Sequence, residues 1–322
     1  MFSALLSICF FSLTSYAQYA PPQGEVGSTA IFKDSTVFIA WASSCEITRG
    51  FQDLSAPSNS YTDVGDSSSA VGMAGINGVV SLGDGGSAIL KFNTPITNGT
   101  GFDFAVFENS FDGYFLELAF VEVSSDGIHF FRFPAISLVD TTVQTGTFGL
   151  TDATKLNNLA GKYRAEYGTP FDLADLPDNP LLNKQNITHV KVIDVIGCIQ
   201  NLYCSRDANM HIINDPWPTA FGSGGFDLDA IGVIHCQTLG FTENNLFSVN
   251  VYPNPANEII HIQVDMNQTY DLTISNLLGE TIKEYKNEIQ SSVIIMKDFI
   301  SGVYFVTITN GLISKQVKII KS

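Results

Sequence analysis

Residues 116–133 read LELAFVEVSSDGIHFFRF, and this stretch decides the fold of the first part of the chain. Apolar residues dominate positions 116–124 and 129–133, and Ser125-Asp126-Gly127 stands between the two runs. Asp-Gly between two apolar runs is a strong signal for a β-hairpin. We therefore predict two antiparallel strands joined by a tight turn.

Similar short runs recur on both sides of this hairpin. Apolar and aromatic residues are concentrated at 87–92, 101–107, 189–195 and 226–234. One short helix is predicted at 152–161, with Asp152 as its N-cap and Gly161 as its end. Many short strands with one small helix favour an all-β protein, and we predict a jelly-roll-like β-sandwich.

A second series of strands follows a polar break in the pattern. The expected strands are 259–264, 271–275, 292–296, 303–309 and 314–320, and they predict a small immunoglobulin-like β-sandwich. The predicted domains are thus a β-sandwich at 18–236, a linker at 237–247 and the small sandwich at 248–322.

The N-terminal residues 1–17 read MFSALLSICFFSLTSYA. They form an uncharged apolar run that ends in a small-x-small pattern, Ser15-Tyr16-Ala17, as secretory signal peptides do. No later run reaches the roughly 18 apolar residues that a membrane-spanning helix needs. We therefore expect a secreted protein without a membrane span.

The chain carries a net charge of -16, and the acidity is unevenly distributed. Residues 1–247 contain 10 Lys and Arg against 25 Asp and Glu, whereas residues 248–322 contain 6 against 7. A basic footprint is absent, which argues against a nucleic-acid partner. The excess of carboxylates fits either a soluble extracellular surface or binding of a hard cation such as calcium.

Four cysteines remain after the predicted signal peptide: Cys45, Cys198, Cys204 and Cys236. An even number in an exported chain favours disulfides. We expect Cys198–Cys204 and Cys45–Cys236, which is one of three possible pairings. Zinc is disfavoured because the chain has no C-x-x-C spacing and no nearby pair of histidines.

Carboxylates near strand ends are the candidate calcium ligands. Asp227 and Asp229 alternate along one predicted strand and should share a face. Two carboxylates side by side repel unless a cation joins them. Asp103, Glu108 and Asn109 flank another strand and add oxygen ligands of the kind that calcium takes. The alternative for each is a solvated side chain or one bonded to loop amides.

Trp217 lies in the proline-rich segment Asp215-Pro-Trp-Pro-Thr219 and is predicted to be exposed, where it could stack on a sugar. No catalytic residue is assigned. A G-x-S-x-G elbow is missing, and the histidines are scattered. A glycosidase needs two carboxylates in one cleft, and the sequence does not single out a pair.

Four motifs follow one another in the C-terminal region: 251–258 (VYPNPANE), 275–282 (SNLLGETI), 300–306 (ISGVYFV) and 315–322 (KQVKIIKS). Together they create a resemblance to the type A sorting domain of the Bacteroidetes type IX secretion system. It implies recognition by the outer-membrane secretion machinery, frequent removal of the domain, and a mature protein on surface lipopolysaccharide or in the medium. The motif residues are Pro253, Asn254, Pro255, Gly302 and Lys318. The two prolines should stiffen the entry to the domain, and Gly302 should let the chain turn into the next strand.

Four segments of the first domain also form a pattern: 80–86 (VSLGDGG), 102–109 (FDFAVFEN), 121–127 (VEVSSDG) and 225–232 (GFDLDAIG). Through them residues 70–235 resemble a family of bacterial cell-surface β-sandwich proteins without an assigned activity. Some similar proteins accompany TonB-dependent uptake systems, including those for cobalamin. We expect a non-catalytic surface protein that binds a glycan or a small nutrient such as a corrinoid. The alternatives are a hydrolase or lyase acting on polysaccharide, and a structural or adhesive surface protein.

Overall fold

A computed structural model describes residues 19–56, 60–237, 247–265, 269–310 and 314–322. The predicted signal peptide and residues 238–246 of the predicted linker lie outside the described residues. The chain divides into two compact units, Met1–Thr238 and Leu239–Ser322, and this division falls inside the predicted linker.

The first unit is built from short antiparallel strands. In chain order they are β1 (Ile31–Phe32), β2 (Ala40–Trp41), β3 (Ser44–Thr48), β4 (Val80–Ser81), β5 (Ser87–Ile96), β6 (Phe104–Glu108), β7 (Ala119–Ser124), β8 (Phe131–Arg132), β9 (Ile136–Ser137), β10 (Leu156–Asn157), β11 (Tyr167–Phe171), β12 (Ile187–Asp194) and β13 (Asp227–Val233). One sheet has the order β1-β11-β6-β13-β2, with β4 also paired to β13, and the other has the order β3-β5-β12-β7-β8. Strands β9 and β10 form a separate pair.

Apolar side chains from both sheets form one core. Phe104 and Ile231 contribute from the first sheet, and Leu90, Val121 and Val190 from the second; all five are fully buried. Strand β6 is buried on both faces, because Phe107 packs with Phe38 and Trp41 in a smaller cluster on its other side. The predicted all-β sandwich is confirmed.

The predicted hairpin is present as β7 and β8, which pair Glu122 with Arg132. Asp126 Oδ1 accepts hydrogen bonds of 2.8 Å from the amides of Ile128 and His129 and so fixes the connection. Gly127 has a φ of +75°, which an L side chain rarely adopts.

The predicted helix at 152–161 is wrong beyond its first turn. Asp152 does cap a 3₁₀ helix, by accepting a 2.9 Å hydrogen bond from Thr154 N, but that helix covers only Ala153–Lys155. The chain then pairs as β10 with β9, because Leu156 is buried against a neighbouring apolar cluster rather than on a helix face. The described residues contain no helix with the length and apolar character needed to cross a bilayer.

The second unit contains two further antiparallel sheets. Its strands are β14 (Val249–Tyr252), β15 (Ile259–Val264), β16 (Tyr270–Asn276), β17 (Thr281–Glu288), β18 (Ser291–Ile295), β19 (Gly302–Thr309) and β20 (Ser314–Lys321). Their orders are β14-β15-β18 and β17-β16-β19-β20. The five predicted strands are present, and β14 and β17 are additional.

The motif residues of the second unit differ in their roles. The Asn254 amide donates to Lys318 O and accepts from Ile320 N, both at 2.9 Å, so it ties the Pro253–Pro255 segment to β20. Gly302 begins β19, where it pairs with Lys321. A Cβ there would meet only Ile300 O at 4.0 Å, so the space around Gly302 does not itself require glycine.

The structure does not show the predicted disulfide between Cys45 and Cys236, which are both free thiols. Cys45 pairs with Leu90 on β5, and Cys236 forms a bridge with Ile96, six residues further along. The register shifts between these positions, so β12 spans them with Ile187 to Val190, which is roughly 10 Å at about 3.3 Å per residue. A disulfide needs Cα atoms within about 7 Å.

Cys198 and Cys204 are also free thiols in this structure. The Cys198 sulfur accepts a 3.4 Å hydrogen bond from Gln200 N, and the Cys204 thiol donates to Asn201 O at 3.7 Å. The proximity of Cys204 contributes to a raised pKa of Cys198, after the larger effect of burial. Their pairing therefore stays a prediction.

Candidate functional site

A pocket opens in the first unit where β6 ends, β13 begins and the chain enters β7. It encloses about 180 Å³. Three carboxylates line it: Glu108 at the end of β6, Asp227 at the start of β13, and Glu117 two residues before β7. Asn109 and the loop side chains Ser110, Thr147, Thr219 and Ser223 supply further polar groups.

Glu108 is the most deeply buried of the three carboxylates, at 1% exposure. Its Oε2 accepts a 2.7 Å hydrogen bond from Ser110 N, whereas Oε1 is buried without a partner. Burial raises the pKa of Glu108 well above its usual value, and the charge of Asp227 raises it further. An unpartnered buried carboxyl oxygen is costly unless a ligand supplies a donor or a positive charge.

Asp227 reaches the same pocket because β13 runs alongside β6. The register pairs Leu228 with Glu108, which places Asp227 next to the end of β6. Ser81 Oγ donates a hydrogen bond to Asp227 Oδ1. Burial raises the pKa of Asp227 from 3.8 to about 6, and the Ser81 bond acts against that rise.

Glu117 enters from the segment that leads into the second sheet. Its pKa is well above the usual value, first because of burial and then because of the charges of Glu108 and Asp227. Gly161 packs under its backbone: a Cβ on Gly161 would lie 1.8 Å from Glu117 O, and Gly161 has a φ of +80°. Only glycine fits there, so Gly161 sets the position of the Glu117 segment.

Two further buried carboxylates hold the strand ends that carry these residues. Asp194 accepts from Phe226 N at 2.7 Å and from Gly85 N at 3.0 Å. Asp215 accepts from Leu118 N at 2.9 Å. Burial raises the pKa of both carboxyl groups well above the usual range. They therefore fix the residues next to Asp227 and Glu117.

Phenylalanine rings form the rim of the pocket. Phe111 stacks on the buried Phe115 at 4.6 Å, Phe148 lies 6.1 Å from Phe115, and Phe221 stacks on Phe148 at 6.1 Å. Phe111 is 70% exposed, Phe148 68% and Phe221 47%. Exposed aromatic rings that converge on one opening are typical of a binding site.

Hydrogen bonds within and between the rim loops hold the rings in place. Asp112 Oδ1 accepts from Tyr114 N at 2.7 Å and from Phe115 N at 2.6 Å. Thr147 Oγ1 donates to Pro218 O at 2.8 Å and links the Phe148 loop to the Phe221 loop. The rim is therefore formed before a ligand arrives.

No ion pair among the described residues involves Glu108, Glu117 or Asp227. Arg49 approaches only the backbone, where it donates to Ser81 O at 2.6 Å. The pocket thus brings three acidic groups together without a protein cation to pair with them.

The five predicted metal ligands do not form one site. Glu108, Asn109 and Asp227 line the pocket, but Asp103 lies at the other end of β6 from Glu108. Asp103 accepts from His235 Nδ1 at 2.8 Å and from Leu173 N at 2.8 Å and is structural. The described residues contain no group of three or more His, Cys, Asp or Glu side chains arranged to hold a metal ion.

Asp229 is separated from Asp227 by a β-bulge. The β6–β13 register shifts between Leu228 and Ala230, so simple alternation fails there. Both Asp229 carboxylate oxygens lie 2.9 Å from Gly75 N, whose loop they anchor. The expectation that the two aspartates share a site is wrong.

Trp217 is half-buried rather than exposed and lies outside the pocket. Its Nε1 donates to Asp84 Oδ2 at 3.4 Å. Sequence reasoning did not identify Glu117 or the phenylalanines around the opening, Phe111, Phe148 and Phe221, as site residues. The available signal was a phenylalanine within two residues of a glycine in a loop, as in 111–115 (FDGYF), 146–150 (GTFGL) and 220–225 (AFGSGG).

Comparisons with known proteins identify the second unit. Residues 250–322 match the family model of the secretion system C-terminal sorting domain. The resemblance of residues 248–322 to the type IX sorting domain is confirmed, and this domain directs the protein to the outer cell surface through the secretion machinery. No curated protein matches the chain significantly.

Solved structures show only distant similarity. PorZ, a surface component of the type IX secretion system of Porphyromonas gingivalis, is 15% identical over 29% of this chain and 14% of PorZ, with a TM-score of 0.22. The BSP domain of a biofilm associated protein is 10% identical over 90% of this chain and 53% of that one, with a TM-score of 0.22. A β-glucuronidase of Faecalibacterium prausnitzii is 11% identical over 87% and 44%, also with a TM-score of 0.22. This chain spans about half or less of their length, and similarities this low support no assignment of function.

Proposed function

We propose that this chain is a non-catalytic binding protein of the outer cell surface. It holds one sugar unit of a glycan in the pocket of Glu108, Glu117 and Asp227, and its residues 250–322 are a secretion system C-terminal sorting domain. The observation that carries the proposal is the preformed ring of phenylalanines around a polar floor with an unpartnered buried oxygen, Glu108 Oε1. An apolar wall with a few convergent polar groups is the usual composition of a small-molecule site.

The size of the pocket favours a single sugar over a corrinoid. Drug-sized ligands occupy about 300–1,000 Å³, whereas this pocket encloses about 180 Å³. That volume corresponds to roughly six water molecules at about 30 Å³ each. A corrinoid would remain outside it and would contact only the rim.

Titration calorimetry of the full chain against a panel of oligosaccharides tests the proposal. Phe148→Ala removes an exposed ring of the rim and should weaken binding about tenfold, since a lost ring contact is worth roughly 1–2 kcal/mol. Phe102→Ala is the matched control, because Phe102 is also exposed but does not line the pocket. Failure of every glycan to bind, or equal effects of the two substitutions, would refute the proposal.

One observation favours polysaccharide hydrolysis as a second candidate. Asp227 and Glu117 share one pocket. Asp227 has a pKa of about 6, and the pKa of Glu117 is raised by burial and, in addition, by its acidic neighbours. Glycosidases use two carboxyl groups whose environments give them different pKa values, so that one acts as an acid and the other as a base or nucleophile. Turnover of a polysaccharide that is lost in Asp227→Asn and Glu117→Gln, with binding retained, would establish this activity; an inert panel would reject it.

A further inference from the structure

We propose that the sugar unit held in the pocket is an amino sugar with a free, positively charged amine, which the carboxylates of Glu108, Glu117 and Asp227 bind while the phenylalanine rim covers its ring. This inference rests on the proposed glycan-binding function and names the class of glycan.

The floor of the pocket is acidic and has no counter-ion from the protein. Three acidic side chains line it, and none forms an ion pair with a described Lys, Arg or His side chain. Glu108 Oε1 is buried and has no hydrogen-bond partner. An ammonium group offers three donors and a charge, and it satisfies such a floor better than a hydroxyl group does.

The rim distinguishes an organic cation from a metal ion. A bare cation would use the carboxylates and leave the rings of Phe111, Phe148 and Phe221 exposed. A neutral sugar would contact the rings and leave the carboxylates without a counter-charge. A sugar with an amine uses both, and aromatic faces also attract an adjacent cation.

The charge of the whole first unit supports the same ligand. Residues 1–238 hold 24 acidic against 10 basic side chains. A field of this sign raises the local concentration of cationic ligands and speeds their association. Polycationic glycans should therefore reach the pocket faster at low salt than at high salt.

The pH dependence of binding provides a second test of the inference. Asp227 faces the acidic Glu108 and Glu117 and the hydroxyl of Ser81, while Asp194 and Asp215 lie near Glu117; burial raises the pKa of all four of these other carboxyl groups. Asp227 itself changes charge at a pH of about 6. An ammonium group binds the ionised Asp227 carboxylate, so affinity should increase as the pH rises through 6 and fall again at a pH where the amine loses its proton, whereas a neutral sugar gains no charge pairing.

The test compares three trisaccharides by titration calorimetry on the full chain: β-1,4-linked glucosamine, its N-acetylated form and cellotriose, at pH 5 and pH 7. We expect the glucosamine trimer to bind at least tenfold tighter than the other two at pH 7, and several-fold more weakly at pH 5. Asp227→Asn and Glu108→Gln should abolish this preference. Glu46→Gln, which removes one exposed charge on β3, should keep it.

Each outcome either supports or overturns the proposed amino-sugar ligand. Equal binding of all three trisaccharides overturns the amine while leaving the proposed glycan binding intact, and binding of none overturns both. Binding of CaCl₂ that competes with the glucosamine trimer and depends on Asp227 assigns the floor to a metal ion instead. If Glu108→Gln does not fold, as judged by tryptophan fluorescence, Asp227→Asn decides, because its amide oxygen still accepts the Ser81 hydrogen bond.

Discussion

Replacing Asp227 by Asn should stabilise the first unit at neutral pH and above. Burial raises the pKa of the Asp227 carboxyl from 3.8 to about 6 in the folded protein, whereas an unfolded aspartate titrates near about 3.9. The folded state therefore binds the proton more tightly, and stability is lost as the pH rises from about 4 through 6. The difference of about two pKa units corresponds to about 3 kcal/mol, which is an upper limit because the carboxylate is partly hydrated.

The two tryptophans of the chain, Trp41 and Trp217, both belong to the first unit, so their fluorescence reports its unfolding alone. Urea titrations at pH 4, 6 and 8 should show no difference between the native protein and Asp227→Asn at pH 4. The variant should gain up to about 3 kcal/mol at pH 8, because Asn keeps the acceptor for Ser81 and cannot ionise. Glu46→Gln is the control and should show no such trend, since Glu46 is exposed.

The reasoning would be refuted by a variant that is no more stable than the native protein at pH 8. A stability difference that stays constant from pH 4 to pH 8 would also contradict it, since only titration of Asp227 produces a difference that grows with pH. Either result would mean that the carboxylate is hydrated rather than buried beside Glu108.

Further predictions concern single residues elsewhere. Gly161→Ala should lower the unfolding free energy of the first unit by at least about 2 kcal/mol, because its Cβ would collide with Glu117 O; an unchanged urea midpoint would contradict this. Peptide mapping should find no Cys45–Cys236 disulfide, and Cys45 should react slowly with alkylating reagents, because burial raises its pKa to about 11; a bridged peptide would show that the strand positions are wrong. Asn254→Ala should cost the sorting domain about 1 kcal/mol and reduce display on the cell surface, since both bonds to β20 are lost, while Asn257→Ala should have no effect. Calcium binding predicts that a chelator lowers the tryptophan-detected melting temperature; an unchanged transition rejects a structural calcium ion.

Local sequence signals were sufficient for much of the fold. The β7–β8 hairpin follows from apolar runs around Asp126-Gly127, and the strands of the sorting domain follow from alternation between glycine or asparagine turns. Strand β17 was missed because its residues, 281–288 (TIKEYKNE), are largely charged and half-buried or exposed. The helix at 152–161 was wrong because pairing with β9 outweighs the weak local preference for helix.

The site could be predicted only in part. Glu108 and Asp227 were found separately as carboxylates at strand ends, but their meeting depends on the register of β6 and β13, which join residues more than a hundred positions apart. The bulge that separates Asp229 from Asp227 leaves no mark in the sequence. Glu117 falls inside the run 116–124, for which only a strand was predicted, and its place in the pocket depends on the close approach of Gly161.

The carboxylates and the phenylalanines of the pocket are held by different structural elements. Glu108 and Asp227 belong to paired strands, whereas Phe111, Phe148 and Phe221 stand on separate loops. Loops accept changes of length and composition far more readily than central strands do. Exchanging the three loops should therefore alter which glycan is selected while the charge at the floor is retained, which makes this sandwich a suitable starting point for designed cell-surface receptors.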